Sequence, residues 1–282
     1  MNITRFGARG SERPAIITPD GQRRDCSSLV RDWDGASLAN QAVEGLRAMP
    51  AERLLALPPV PPEERWASCV ARPGKVVCVG LNYADHAAEA KLPVPSEPIL
   101  FMKATTAVCG PYDDVQMPPA ATKLDWEVEL GVIIGQEARH LSSLAAATAC
   151  IAGYCVVHDV SERAFQIERG GQWTKGKSCD TFCPVGPWCR SADAMPDVQA
   201  LDMRLSVNGI RRQNGSTRTM IFPPAFLVQY ISGFMTLEPG DLISTGTPPG
   251  VAMGMAVPQW LQRGDVVELE IDGLGRQCQR IA

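Results

Sequence analysis

No stretch of this 282-residue chain approaches the roughly 20 consecutive apolar residues that a membrane-spanning helix requires. The opening residues, Met1 to Gly7, lack the apolar run of a secretory signal, so the expectation is a cytoplasmic protein. A basic excess is missing too. Lys and Arg number 27 against 31 Asp and Glu, for a net charge of −4, which excludes nucleic acid or an anionic membrane as the main partner. The ten cysteines are scattered and never form a CxxC pair, so free buried thiols are expected rather than a disulfide framework. There is no internal repeat and no low-complexity tail. What is present is an ordinary globular balance, 45% hydrophobic and 21% charged, in a chain long enough to fold without disulfide or metal staples.

Pro58-Pro59-Val60-Pro61-Pro62 cannot continue a helix or a central strand and reads as a stiff connector. It divides a small N-terminal α/β unit, residues 1–62, from a body of residues 63–282. In the first unit, Pro19-Asp20-Gly21 after Ala15-Ile16-Ile17-Thr18 predicts a hairpin. Ser37 is positioned to cap a helix with Leu38, Ala42, Val43, Leu46 and Met49 on one face. The body shows seven β-type runs, at residues 76–80, 98–102, 126–134, 153–157, 203–208, 241–245 and 265–271. Helices are fewer, expected at 83–91, 144–149, 161–168 and 224–233. Strands dominate without regular alternation, which predicts a β-rich α+β fold.

The most informative run is Asp125-Trp126-Glu127-Val128-Glu129-Leu130-Gly131-Val132-Ile133-Ile134. On a strand Glu127 and Glu129 share one face while Trp126, Val128 and Leu130 take the other. Paired acids in so apolar a strand repel unless protonated or neutralised by a cation, although a solvated face is the plainer alternative. Asp159 follows the strand 153–158 and supplies a third carboxylate. Three oxygen donors with no cysteine partner suit Mg²⁺ or Mn²⁺ before Ca²⁺. His158 faces away from its neighbour and reads as a packing histidine beside such a site. Of Lys175 and Lys177, either one could enter an anionic site to hold an oxyanion, or both could form a basic turn. His86 and Glu89, three apart on a short helix opened by Asn82, can orient and charge an imidazole for taking a proton from water, or be an ordinary surface pair. Thr245-Gly246-Thr247-Pro248-Pro249-Gly250 is a tight loop whose hydroxyls and N–H groups could bind a carboxylate, or simply turn the chain.

Taken in order, Gly80-Leu81-Asn82-Tyr83-Ala84-Asp85-His86, Glu127-Val128-Glu129, His158-Asp159-Val160-Ser161, Lys177-Ser178 and Thr245-Gly246-Thr247-Pro248 resemble the fumarylacetoacetate hydrolase superfamily over about residues 70–282. The segment from Ser161 to Trp173 with Lys175-Gly176-Lys177 is most similar to the branch of 2,4-diketo-3-deoxy-sugar-acid hydrolases, some relatives of which carry the label ureidoglycolate lyase. The resemblance implies mixed β-sheets rolled around the site in a homodimer, and Mg²⁺ (Mn²⁺ possible, Ca²⁺ as a substitute) on Glu127, Glu129 and Asp159. It also implies a water-activating His86–Glu89 dyad on a lid helix and a catalytic Lys177. Gln166 and Thr247 would contact substrate, with Arg163 and Tyr83 as further candidate contacts. Two positions depart from the family pattern: Ala164 where many relatives have Asp, and His158 where Asn is frequent. The expected reaction is hydrolytic C–C cleavage of a 2,4-diketo acid to pyruvate and a carboxylic acid such as lactate. Oxaloacetate decarboxylation, ureidoglycolate cleavage and an inactive metal-binding protein stand as alternatives. The pocket reading the C4 substituent is expected among residues 87–95, the loop 211–220 and the N-terminal unit.

Overall fold

The computed structural model describes residues 1–89, 93–195 and 197–282. Its architecture is strand-rich α+β. All seven expected body strands form to within two residues of their expected bounds. The largest sheet runs, in spatial order, through Arg23–Asp25, Arg13–Ile17, Asn2–Phe6, Cys183–Ser191, Ile151–His158, Val128–Ile134, Leu242–Ser244, Val76–Gly80 and Ile99–Lys103. Leu242–Ser244 pairs parallel with Val76–Gly80 and antiparallel with Val128–Ile134. A second sheet of four antiparallel strands, Ile210–Ser216, Asp202–Val207, Val266–Ile271 and Gly275–Arg280, packs on the first. Met203, Leu205, Val267 and Leu269 face inward on it, and their alternation with exposed or half-buried residues marks a one-sided sheet.

Val128–Ile134 lies at the centre and is buried along its whole length, which explains its near-continuous apolar sequence. Because both of its faces are covered, the acidic pair at its start is buried and the solvated-face reading fails. The helices Leu144–Ala149 and Pro224–Ser232 match expectation. The helix expected at 83–91 spans Ala84–Glu89, and its expected end at Ala90 and Lys91 lies outside the described residues.

The N-terminal segment differs more. The single helix expected from Ser37 is two, Gly35–Ala39 and Ala42–Arg47, because Gln41 takes a left-handed conformation between them. Asp34, not Ser37, is the cap, its carboxylate accepting from Ser37 N–H. Asn2–Phe6 was not foreseen as a strand; it pairs with Cys183–Ser191 and so extends the main sheet. Arg23 ties the hairpin to the proline connector through the carbonyls of Pro61, Pro62 and Glu64. All ten cysteines are free thiols, eight of them buried and Cys179 and Cys278 half-buried. Among the described residues no helix is long and apolar enough to cross a membrane.

Candidate active site

The site forms where two central strands end. In the antiparallel ladder Val128 pairs with His158, and one step further Asp159 N–H donates to the Glu127 carbonyl at 3.0 Å. This register brings Asp159 beside Glu127 and Glu129, and one oxygen from each of the three lies within 4.8 Å of the others. All three residues are buried.

Cations crowd the triad. Lys177 Nζ bridges Glu127 Oε2 and Asp159 Oδ2, at 2.7 Å from each. Lys103, at the end of Ile99–Lys103, donates to Asp159 Oδ1 at 2.5 Å and to the Val160 carbonyl. Arg163 spends its guanidinium on Asp125 Oδ2 at 2.8 Å, Glu127 Oε1 at 2.5 Å and Gln166 Oε1 at 3.0 Å. Asp125, Glu127, Glu129 and Asp159 therefore face three cations, so the cluster is neutral only while one of the four carboxyls keeps its proton. Glu129 is the carboxylate with no cation in contact. Its Oε2 accepts from Ser244 Oγ at 2.6 Å and from Gly246 N–H at 2.8 Å.

The charges respond as burial and neighbours dictate. Burial, reinforced by Asp159 and Glu127, pushes Glu129 up to about 8. Burial opposes the charge of Glu127 as well, but Arg163 and Lys177 outweigh it and hold Glu127 well below the usual carboxylate range. Lys177 also pays for its burial, yet Asp159 and Glu127 keep it above the ordinary lysine value. Lys177 reaches the triad because Gly176 lets its short helix seat against Arg163–Ile167. A Cβ at Gly176 would lie 2.4 Å from the Glu162 carbonyl and 2.5 Å from the Gln166 nitrogen.

On the opposite wall, His86 Nδ1 lies 3.0 Å from Glu89 Oε2, and Glu89 in turn accepts from Gly250 N–H at 3.0 and 3.2 Å. The loop 245–250 thus does bind carboxylates, and they are the chain's own: Glu129 through Gly246 and Glu89 through Gly250. Thr247 Oγ1 donates to the Val128 carbonyl and accepts from Gln213 Nε2. A cavity of about 330 Å³ opens between these walls, lined at its polar end by Glu127, Glu129, His86, Lys177, Gln166 and Thr247, with Arg163 beside them.

The structure thus assembles His86, Glu89, Lys177, Gln166, Thr247, Arg163, Glu127, Glu129 and Asp159 at one place. Tyr83 is the exception. Fully buried, it makes no part of the cavity wall, and its hydroxyl contacts Met203 Sδ at 3.1 Å, so its candidacy as a substrate contact is corrected to a packing role. Asn82 is no helix cap; its amide ties the backbone of Phe222 to that of Thr245. Lys175 points out of the site, to the Arg169 carbonyl. His158 is buried against Gln279, and burial lowers it to about 4. Residues 211–216 of the expected pocket loop belong to the strand Ile210–Ser216 and none of residues 211–220 lines the cavity, while Ala90, Lys91 and Leu92 of the expected segment 87–95 lie outside the described residues. Lys103, Ser244 and Gln213 escaped sequence reasoning. An apolar flank hides the lysine in Ile99-Leu100-Phe101-Met102-Lys103, and the other two act through strands distant in sequence.

Three buried carboxylates, one of them met by no cation and holding a proton that an ion can displace, fit a hard divalent ion, and the all-oxygen donor set fits Mg²⁺ or Mn²⁺.

The comparisons with known proteins agree with this geometry. Residues 75–282 match the fumarylacetoacetate (FAA) hydrolase C-terminal family model. A Burkholderia multivorans protein named in general terms as a hydrolase is 52% identical over 281 residues, covering 99% of this chain and 98% of its own. Among solved structures, fumarylacetoacetate hydrolase from the psychrophile Exiguobacterium antarcticum is 34% identical with a TM-score of 0.86, over 100% of this chain and 99% of that one. Maleylpyruvate hydrolase from Sphingobium sp. SYK-6, solved with manganese(II) and pyruvate, is 28% identical with a TM-score of 0.81, over 100% and 99%. With the family model matching residues 75–282 and relatives matching end to end at 52% and 34% identity, the chain belongs to the fumarylacetoacetate hydrolase family.

Proposed function

We propose that the protein is a divalent-metal-dependent hydrolase that cleaves the C3–C4 bond of a 2,4-diketo acid, releasing pyruvate and a carboxylic acid. The observation that carries this reading is the shared cavity: Glu127 and Glu129 of the buried carboxylate triad and His86, paired with Glu89 behind it, line the same space. Glu127, Glu129 and Asp159 would hold Mg²⁺ or Mn²⁺, which when bound supplies Lewis-acid charge for a 2-oxo acid and for the pyruvate enolate. The manganese and pyruvate in the Sphingobium maleylpyruvate hydrolase support the same assignment.

The remaining steps belong to the chain's own groups. Glu89, fixed by Gly250 N–H, accepts from His86 Nδ1 and leaves Nε2 as the nitrogen able to take a proton from water. Water adds at the C4 carbonyl, and Lys177 offsets the oxyanion that forms. Collapse of that adduct breaks C3–C4, and the proton held on His86 returns to C3 of the leaving enolate. Gln166 and Thr247 line the path and orient the diketo acid. A decarboxylase acting on oxaloacetate needs no attacking water, so the His86–Glu89 pair favours hydrolysis. Within the acylpyruvate class, the sequence from Ser161 to Trp173 resembles hydrolases of 2,4-diketo-3-deoxy-L-sugar acids such as the fuconate or rhamnonate derivative, whose C4 substituent is an uncharged hydroxyethyl group, whereas the apolar cavity lining favours a less polar substituent in that place. The decisive assay follows loss of the enol absorbance of 2,4-diketo acids with and without a chelator. Metal-dependent turnover that His86→Ala abolishes is the expected result. Release of urea and glyoxylate from ureidoglycolate, with no acylpyruvate turnover, would overturn the proposal.

A further inference from the structure

The cavity lining is mostly apolar. Beyond His86 and Lys177 its walls are Val79, Phe101, Ile167, Trp173, Val251 and Met253. Phe101 touches both parts of the lining: Lys177 Nζ stands 5.0 Å from its ring centroid, and Trp173 packs edge-on against it at 5.3 Å and 63°. Trp173 sits this deep because Gly80 has no side chain; a Cβ there would lie 2.7 Å from the indole. Ile167 and Met253 are 49% and 41% exposed, so they carry the apolar lining out to solvent. Met253 is fixed in place by Asp125, whose carboxylate accepts from the backbone N–H groups of Ala252 and Met253.

Charge is distributed just as unevenly. The lining cations among the described residues are Arg163 and Lys177, and both are committed to carboxylates at the polar end. Among the described residues, neither is left to meet a second carboxylate carried by a substrate's C4 substituent. A charged group pushed against Phe101 and Trp173 loses water and gains no partner among the described residues.

From this we infer that the substrate's C4 substituent is uncharged and apolar, a branched alkyl or aryl group larger than methyl, with Phe101, Trp173, Ile167 and Met253 as the specificity-determining residues. This sets the chain apart from the structurally similar maleylpyruvate hydrolase, whose named substrate ends in a second carboxylate. The inference rests on the acylpyruvate reading above.

The test compares kcat/KM of the Mn²⁺-loaded protein for acetylpyruvate, pentanoylpyruvate and benzoylpyruvate against maleylpyruvate and fumarylpyruvate. Each methylene buried against the apolar wall is expected to raise kcat/KM about fourfold. The two dicarboxylic substrates are expected at least about tenfold below acetylpyruvate, given the loss from an unpaired buried charge. Ile167→Lys, at an exposed rim position where the chain tolerates a charged side chain, should raise the rate on dicarboxylates and lower it on benzoylpyruvate. Trp173→Ala should erase the advantage of benzoyl over acetyl. Dicarboxylates hydrolysed as fast as pentanoylpyruvate would overturn the inference while leaving the hydrolase reading intact. If no diketo acid is turned over, the hydrolase reading fails, and calorimetry with two inert 2-oxo acids decides the pocket separately. Tighter binding of 4-phenyl-2-oxobutanoate than of 2-oxoadipate upholds the apolar pocket, and the reverse order overturns it.

Discussion

Replacing Glu129 by Gln separates the metal site from the fold around it. Without metal, Glu129 titrates at about 8 and is protonated at neutral pH, so Gln copies the group already present. The Gln carbonyl oxygen can still accept from Ser244 Oγ and Gly246 N–H, the two bonds that hold Glu129 Oε2. The sign of the pH effect follows from the raised value. Below about 4.5 folded and unfolded carboxyls are both protonated and the contribution is fully present; above it the unfolded carboxyl ionises first, and stability drains away as pH rises through about 8. A shift of that size in a buried group amounts to on the order of 3–5 kcal/mol between pH 5 and pH 9. For a chain of this length that is roughly 5–10 °C in melting temperature. Metal-free wild-type protein should therefore melt lower at pH 9 than at pH 6, whereas Glu129→Gln should be nearly flat over that range and, because the unfolded carboxyl of wild type is already ionised at pH 6, exceed wild type there by about 2 kcal/mol. Calorimetry should show Mn²⁺ binding lost in the variant and, in wild type at pH 7, about one proton released per ion bound, read from buffers of different ionisation enthalpy. An unchanged pH slope in the variant, or wild-type Mn²⁺ affinity, would refute the placement of that proton and that ligand.

Glu89→Gln keeps an acceptor for Gly250 N–H but no longer charges His86, and should lower kcat by about 10²–10³ with little change in KM, measured by enol loss at saturating metal. Lys103→Met strands the buried Asp159 Oδ1 and should cost about 3–5 kcal/mol, seen as a shifted urea midpoint, with recovery on saturating Mn²⁺ because the ion replaces the missing charge. Gly176→Ala meets backbone at 2.4 Å and 2.5 Å and should displace Lys177, destabilising the fold by about 1–3 kcal/mol and depressing kcat more than KM.

Strand content was legible because it is written in local pattern: alternation in Met203–Asn208 and Asp265–Ile271, a continuous apolar run in Val128–Ile134, and glycine or proline at the breaks. Asn2–Phe6 and Gly275–Arg280 were missed because their neighbours, not their composition, make them strands; Gly275–Arg280 reads Gly-Arg-Gln-Cys-Gln-Arg and pairs wholly through Val266–Ile271. The helix from Ser37 failed on a single left-handed residue, Gln41, which no periodicity reveals.

The site divides along the same line. The sequence alone put Glu127 and Glu129 on one strand face and His86 three residues from Glu89, since both relations follow from the repeat of a strand or a helix. It could not decide between Lys175 and Lys177, nor discover Lys103, nor say that Tyr83 turns away from the cavity. Those outcomes depend on which distant segments share a wall: the ladder that carries Asp159 to Glu127, the bare Gly176 that admits Lys177, and the Trp173 that closes over Gly80. Backbone periodicity is a property of neighbours along the chain, whereas the balance of buried charge and the shape of the cavity exist only after the chain has closed on itself.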